Sequence, residues 1–278
     1  VKMDLIKLDK EKCIQCGLCA SVCSVGVLEM GSYGPQVVQQ TCNACGHCVA
    51  VCPKEALDHV HAPLAQQISL EKTAPLDART AAHFLRSRRS IRNFQQKKVA
   101  REKISQLLDI TRFAPAGFNN QGITYHVIDN PETLHSITDA FMTWSEEVAK
   151  QPTPWSGILS ARANAYRKTG RDGLLWSAPC LIIALTSKDF FEQGKANTYF
   201  SLGYAQLYAP SLGLGSCWIG GIEACVNAGY DPLIRLLNLP ENTSITGALA
   251  VCYPQYQYKR LVDRGPLQLT WANKVGIN

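Results

Sequence analysis

The chain has 278 residues, 46% of them hydrophobic and 18% charged, which excludes a disordered tail or a coiled coil and suits two packed domains. A formal charge of +6 is too small and too scattered to argue for a nucleic-acid surface. The informative number is 12 cysteines, eight of which fall within residues 13–52.

A disulfide-stapled secreted scaffold would account for that density. Against it, the chain is long, its start (VKMDLIKLDKEKC) is charged with no apolar signal segment, and the cysteines keep two- and three-residue gaps. A cytoplasmic location is expected, with Val1 a processed end. Cys13, Cys16, Cys19 and Cys23 recur as Cys42, Cys45, Cys48 and Cys52, each displaced by 29 residues. The echo extends to Gly17 and Gly46, Val22 and Val51, Leu28 and Leu57, and the acidic pair Glu29 and Asp58. Two copies of one small unit facing a shared centre are expected, neither able to fold alone.

Each run reads C-x2-C-x2-C-x3-C. Four thiolates satisfy a 4Fe-4S cluster, and in two-cluster ferredoxins the fourth cysteine of each run ligates the other cluster. That rule groups Cys13, Cys16, Cys19 and Cys52 at one centre and Cys42, Cys45, Cys48 and Cys23 at the other. Structural zinc is the alternative, although zinc knuckles normally pair two C-x2-C elements and stop at four ligands. The small residues Gly17, Ala20, Ala44 and Gly46 let backbone N–H groups approach the sulfurs. Residues 5–60 resemble a bacterial-type two-cluster ferredoxin. One departure is visible: Pro53 follows the second run as expected, whereas Ser24 stands after the first. With all eight ligand positions filled, the domain implies an electron acceptor elsewhere in the chain.

The ferredoxin-like domain is expected over 1–62, a linker with a short strand around Ile68 over 63–80, and a second domain over 81–278. Within the latter, helices are expected over 80–89, 98–113, 131–149, 197–212 and 230–237. Strands are expected over 123–129, 180–185 and 245–253. Glycines mark 216–219 as a turn, and residues 150–173 fit no single pattern. The uncharged stretch 196–222 makes a poor membrane span, because Pro210 and repeated glycines interrupt it. A buried helix running into a glycine-rich loop suits it better.

Residues 86–94 (RSRRSIRNF) hold four arginines within seven positions. A solvated basic face is the bland reading. Arginine forks nevertheless match phosphate oxygens, Ser90 adds a hydroxyl, and the isolated apolar Ile91 and Phe94 suggest a segment pinned to a core. No G-x-G-x-x-G or G-x4-G-K-S/T pattern occurs, so dinucleotide-fold and nucleotide-triphosphatase readings lose support. Three further blocks accompany the arginines: APAGFNNQG at 114–122, SAPCLIIAL at 177–185 and LGLGSCWIGG at 212–221. On these four blocks, residues 81–278 resemble the nitroreductase family of FMN-dependent flavoproteins, and the whole chain resembles its subgroup with an N-terminal ferredoxin module.

The resemblance implies an α+β fold with a central, mainly antiparallel sheet flanked by helices. It places Arg88, Arg89, Ser90 and Arg92 on the FMN phosphate and ribityl chain, and Ile219, Gly220 and Gly221 beside the flavin N5 edge. Pro115, Ala116, Gly117, Asn119 and Gln121 would come from the partner subunit of an intertwined homodimer and meet the isoalloxazine. Arg260 or, as first choice, Arg264 would close over the phosphate. Family members often carry serine at the positions of Ala116 or Gly117 and Pro-Trp in place of Gly122-Ile123, so ring-edge contacts and pocket shape differ here.

The implied function is an FMN- and iron–sulfur-dependent oxidoreductase. It would pass electrons from two 4Fe-4S clusters to FMN and on to a small acceptor such as a nitroaromatic or quinone, fed by an external ferredoxin. NAD(P)H as donor with the clusters as exit, and a non-catalytic electron-transfer protein, are the alternatives. Neither nucleic acid nor membrane is expected as a partner. No acid–base residue stands out. His126 reads as a strand histidine, and Trp144, Trp155, Tyr166 and Trp176 as core aromatics that could include a lid. Cys180, Cys217, Cys225 and Cys252 read as buried small hydrophobes.

Overall fold

The structure, a computed structural model, describes residues 5–70 and 75–271; Val1 and residues 71–74 of the expected linker lie outside the described residues. The cysteine repeat folds as two interlocked copies. β1 (Ile6–Leu8), α1 (Leu18–Ser21) and β2 (Leu28–Gly31) belong to the first, and β3 (Gly34–Val37), α2 (His47–Ala50) and β4 (Leu57–His59) to the second. The 29-residue offset carries α1 onto α2 residue for residue. Gly17 and Gly46 precede them with φ of 78° and 72°, a left-handed backbone that glycine enters without a Cβ penalty. The copies exchange strands, since β1 pairs with β4 and β2 with β3, both antiparallel. Leu5, Val27 and Leu28 then share one small core with Val49 and Leu57, which is why neither copy has a core of its own. Beyond β4 comes a 3-10 turn at Leu64–Gln66 and not the expected strand around Ile68. Ile68 is 88% exposed, and a lone apolar residue with no buried face gives a strand nothing to pack on.

The second domain follows α3 (Ala78–Ser87) and α4 (Arg101–Asp109) with β5 (Thr124–Ile128), α5 (Pro131–Val148), α6 (Ser156–Thr169) and β6 (Leu181–Ser187). The chain continues through α7 (Phe191–Tyr208), β7 (Gly215–Trp218), α8 (Gly220–Asn227), α9 (Asp231–Leu237) and β8 (Thr243–Cys252). Its sheet is antiparallel throughout, in the order β5-β6-β8-β7. The central β6 and β8 are almost wholly buried, which accounts for their continuous apolar runs. Helix α7 packs on both, α8 packs on β8, and α5 packs against α6, α8 and α9. This is the α+β sheet-and-helix arrangement expected of the domain.

Local chemistry explains the element boundaries. Asn130 accepts a 2.8 Å bond from the Thr133 N–H, and Pro131 takes the first helical position, so α5 starts where a capped helix should. Residues 150–173 contain α6, which buries only Leu159 and Ala163 and therefore carries little periodic signal. The expected turn at 216–219 is instead strand β7, paired with β8. A Cβ on Gly215 would lie 2.7 Å from Ile91 Cγ1, so glycine there reflects a neighbouring chain packed close and not a bend. The uncharged stretch is divided among α7, a 3-10 turn, β7 and the start of α8. Among the described residues, no helix is long and apolar enough to cross a membrane.

Asp129 closes the end of β5 against α4 by accepting from Arg101 Nε and Nη2, each at 3.1 Å, with Lys98 at 3.5 Å. The Arg101 hydrogen bonds hold the Asp129 carboxyl below its usual range. Its stabilisation is therefore present above the unfolded carboxylate value of about 3.9 and is lost as pH falls through the lower folded value. Asp129→Asn is expected to lower Tm at neutral pH, and the difference from wild type should vanish in strong acid. Thermal melts across pH test this.

Candidate functional site

Two hollows lie in the N-terminal unit. One is lined by Cys13, Cys16, Cys19 and Cys52, and the other by Cys23, Cys42, Cys45 and Cys48. The last cysteine of each run thus lines the hollow of the other copy. Backbone N–H groups face the sulfurs: Val27 to Cys23, Ala44 to Cys42 and Ala56 to Cys52, each at 3.3 Å. Burial raises the Cys23 thiol, but the N–H groups of Val27, Leu28, Val25 and Gly26 outweigh it and leave it below its ordinary value. Such donors suit a charged sulfur. Among the described residues, no three His, Cys, Asp or Glu side chains gather as ligands of a single metal ion.

The arginine block runs from α3 along the sheet edge. The Ile91 N–H donates to Ser216 O, the Gln95 N–H to Tyr253 O and the Gln255 N–H to Asn93 O, each at 2.9 Å, while Ile91 and Phe94 are buried. The segment is therefore pinned by backbone and apolar contacts, which frees its polar side chains. Burial pushes the Cys217 thiol on β7 up, while Arg92, Ser90 and Arg88 pull it back, and Ser90 bridges to Ser216 beside it. Arg88 Nη1 reaches Gln206 Oε1 at 3.4 Å, Arg89 lies over Tyr258, and Arg92 lies over Trp176. Among the described residues, no carboxylate pairs with Arg88, Arg89 or Arg92. Forked cations held without a counter-charge suit a bound phosphate.

Arg260 meets the block through its carbonyl, which accepts from Arg89 Nη2 at 2.6 Å. Arg264 stands farther along the exposed tail, its backbone N–H bonded to Asp263. Ile219 is buried, Gly220 is open at the start of α8, and Gly221 is pressed against Phe141 and Leu174. Two residues later in α8, Glu223 is a half-buried carboxyl whose pKa burial raises, and it accepts a 2.7 Å bond from Trp218 Nε1. Sequence inspection missed it, since a single glutamate in a short helix carries no pattern.

Pro115, Ala116, Gly117, Asn119 and Gln121 form a loop in which Phe118, Asn119 and Gln121 all have positive φ. Three non-glycine residues in that region mark a backbone held by its surroundings. The Gly117 N–H donates to Asn197 Oδ1 at 3.1 Å near the start of α7, whereas Arg88 meets Gln206 nine residues later on that helix. At 1.5 Å per residue, the loop and the arginine block dock about 13 Å apart along α7. Asn197 and Gln206 were missed too, and polar residues in an uncharged helix were the available signal. Tyr199, Phe200, Tyr204, Phe113 and Phe118 are exposed near this loop and along α7, a density of apolar surface that marks interaction sites. Of the proposed lid aromatics, Trp144, Tyr166 and Trp176 pack against the core, and Trp155 is exposed. His126 sits in β5, and Cys180, Cys217, Cys225 and Cys252 are all buried.

Comparison with known proteins follows this division. A model of the Nitroreductase family matches residues 85–253, and a 4Fe-4S dicluster domain matches residues 12–56. A curated relative, FMN reductase [NAD(P)H] of Bacillus subtilis, is 24% identical over 183 residues, covering 61% of this chain and 64% of the relative. The chain therefore spans less than two thirds of that protein. A Bacteroides fragilis nitroreductase solved with bound FMN shares 20% identity and a TM-score of 0.55 over 68% of this chain and 98% of its own. A nitroreductase from Desulfitobacterium hafniense, also with bound FMN, shares 16% identity and a TM-score of 0.55 over 68% and 97%.

Proposed function

The chain belongs to the nitroreductase family, with a 4Fe-4S dicluster domain ahead of the flavoenzyme domain, and from that premise we propose a reductase that takes electrons singly and delivers them in pairs. It is a flavin-dependent oxidoreductase, and the acceptor is a small oxidant of the nitroaromatic or quinone type. The observation that carries the reading is the crossing of the cysteines. Cys52 joins the first run and Cys23 the second, so each hollow is ringed by four sulfurs around a volume, as a cube of iron and sulfide requires. The two clusters bound there would supply single electrons, and FMN, when bound, would supply the two-electron chemistry.

Arg88, Arg89, Ser90 and Arg92 would bind the FMN phosphate and ribityl chain on β7. Arg264 or Arg260 from the tail would close over the same site; the bond from Arg89 to the Arg260 carbonyl supports the latter. Gly220 and Gly221 would present backbone N–H groups to the flavin edge beside Ile219, whose own N–H donates to Ala248 O at 2.9 Å, with Glu223 in the same helix able to hold a proton. The loop bearing Pro115, Ala116, Gly117, Asn119 and Gln121 would serve the flavin of a second copy. A homodimer through the aromatic face of α7 would also cover surface that one chain leaves exposed. Nicotinamide as direct donor is the second reading, supported by the name of the Bacillus relative.

Anaerobic purification with iron, sulfide and flavin assays tests the composition. The reading expects about eight irons and eight sulfides per chain, with one FMN. Stoichiometric zinc in their place would overturn it.

A further inference from the structure

We propose that the second hollow, ringed by Cys23, Cys42, Cys45 and Cys48, is the one that hands electrons to the flavin, with Asn119 as the positioning residue of the junction. The inference rests on the relay reading above and adds its polarity.

Asn119 Nδ2 donates to the carbonyls of Asn43 and Ala44, at 2.9 and 3.1 Å. Both carbonyls lie in the two-residue span between Cys42 and Cys45. The Ala44 N–H donates in turn to Cys42 Sγ at 3.3 Å, and Ala44 itself has φ of 50°. A continuous chain of bonds therefore joins a sulfur of the second hollow to the flavin loop. On the far side, Asn119 Oδ1 accepts from Gln121 Nε2 at 3.2 Å, and the Gly117 N–H is tied to Asn197 on α7.

The repeat supplies an internal control. Displacement by 29 residues makes Ile14 and Gln15 the counterparts of Asn43 and Ala44. Gln15 repeats the backbone strain with φ of 54°, yet Ile14 is 58% exposed. Both loops carry a positive φ at the same repeat position, and what differs is the company: one is docked on the flavin loop and the other faces solvent. The first hollow is then the entrance. With clusters and flavin bound, an external one-electron donor would be oxidised there, and the electron would pass to the second hollow and on to the flavin. Two such passages, with two protons from solvent, reduce one acceptor molecule by two electrons.

The test uses full-length protein purified anaerobically, with reduced methyl viologen as the donor. Cys16→Ser and Cys45→Ser identify the two cluster waves in an EPR-monitored redox titration, each variant losing one wave. Asn119→Asp, which keeps the side-chain shape but sets a negative charge against the Cys42–Cys45 loop, should lower the potential of the wave lost in Cys45→Ser and leave the other in place. A shift of the wave lost in Cys16→Ser, or of neither, overturns the assignment. Viologen-driven flavin reduction, corrected for the direct rate in the Cys16→Ser/Cys45→Ser double variant, gives a second arm that needs no change at Asn119. Viologen is small enough to reduce either hollow directly, so Cys16→Ser should retain flavin reduction through the second hollow, whereas Cys45→Ser, which removes the hollow beside the flavin loop, should lose it. The reverse pattern overturns the polarity. Absence of both waves from the wild type overturns the relay itself, which separates the two failures.

Discussion

Arg88→Ala combined with Arg92→Ala is expected to strip FMN from the protein without unfolding it. The fold does not depend on these side chains, because residues 88–94 are anchored by the Ile91 N–H on Ser216 and by buried Ile91 and Phe94. Neither has a carboxylate partner among the described residues, so on the phosphate reading what their truncation removes is the hold on an anion. Hydrogen bonds to charged groups contribute about 1.5 kcal/mol or more each. Two of them amount to about 3 kcal/mol, a loss of more than a hundredfold in flavin affinity. Flavin retained through gel filtration, read beside Tm, measures both halves of the expectation. Arg86→Ala, on the last turn of α3, is the control and should retain its flavin. A double variant holding FMN like wild type would refute the phosphate assignment.

Phe141→Ala should be the most destabilising single change near the site. The ring is 1% exposed, tilts against Trp144 at 5.5 Å, and lies where a Cβ on Gly221 would approach to 2.8 Å. Removing a buried phenyl group costs about 3–5 kcal/mol, a large share of the 5–15 kcal/mol that holds a typical domain. Gly221→Ala approaches the same contact from the other side. Its methyl group would meet Phe141 and Leu174 at 2.8 and 2.9 Å, and overpacking of that kind costs about 1–3 kcal/mol while displacing the first turn of α8. In the double variant the new methyl group enters the space the ring vacated, so the combined loss should be smaller than the sum. Denaturant melts of the four proteins test the cycle. Strict additivity would mean that Phe141 does not set the position of the glycine turn.

Much of this architecture was legible because it is written locally. The 29-residue cysteine echo announced two copies of one unit, although their short helices and the exchange of strands between them had no signal of their own. Asn130 followed by Pro131 announced α5, and the CLIIAL run announced β6. Other features were hidden for physical reasons. β7 looked like a turn because Gly215 is small for the sake of Ile91, a residue more than a hundred positions earlier. α7 begins at Phe191 and not at 197 because Gly194, which resembles a helix stop, is instead buried inside the helix. α6 buries two residues on a mostly polar helix, so periodicity could not find it. At the site, the arginines announced themselves by composition. Asn119 was expected to face a flavin, but its bond to the Asn43 loop, 76 residues away in sequence, has no local signature.

On the relay proposed above, electrons reach the flavin through the cysteine repeat. Anaerobic reductive titration of the intact protein, followed in the visible spectrum, tests it most directly. Dithionite should bleach the broad iron–sulfur band and the flavin bands together, whereas NADH and NADPH should bleach neither at a comparable rate. Rapid bleaching of the flavin by a nicotinamide would contradict the account, restoring a hydride donor and recasting the repeat as an exit.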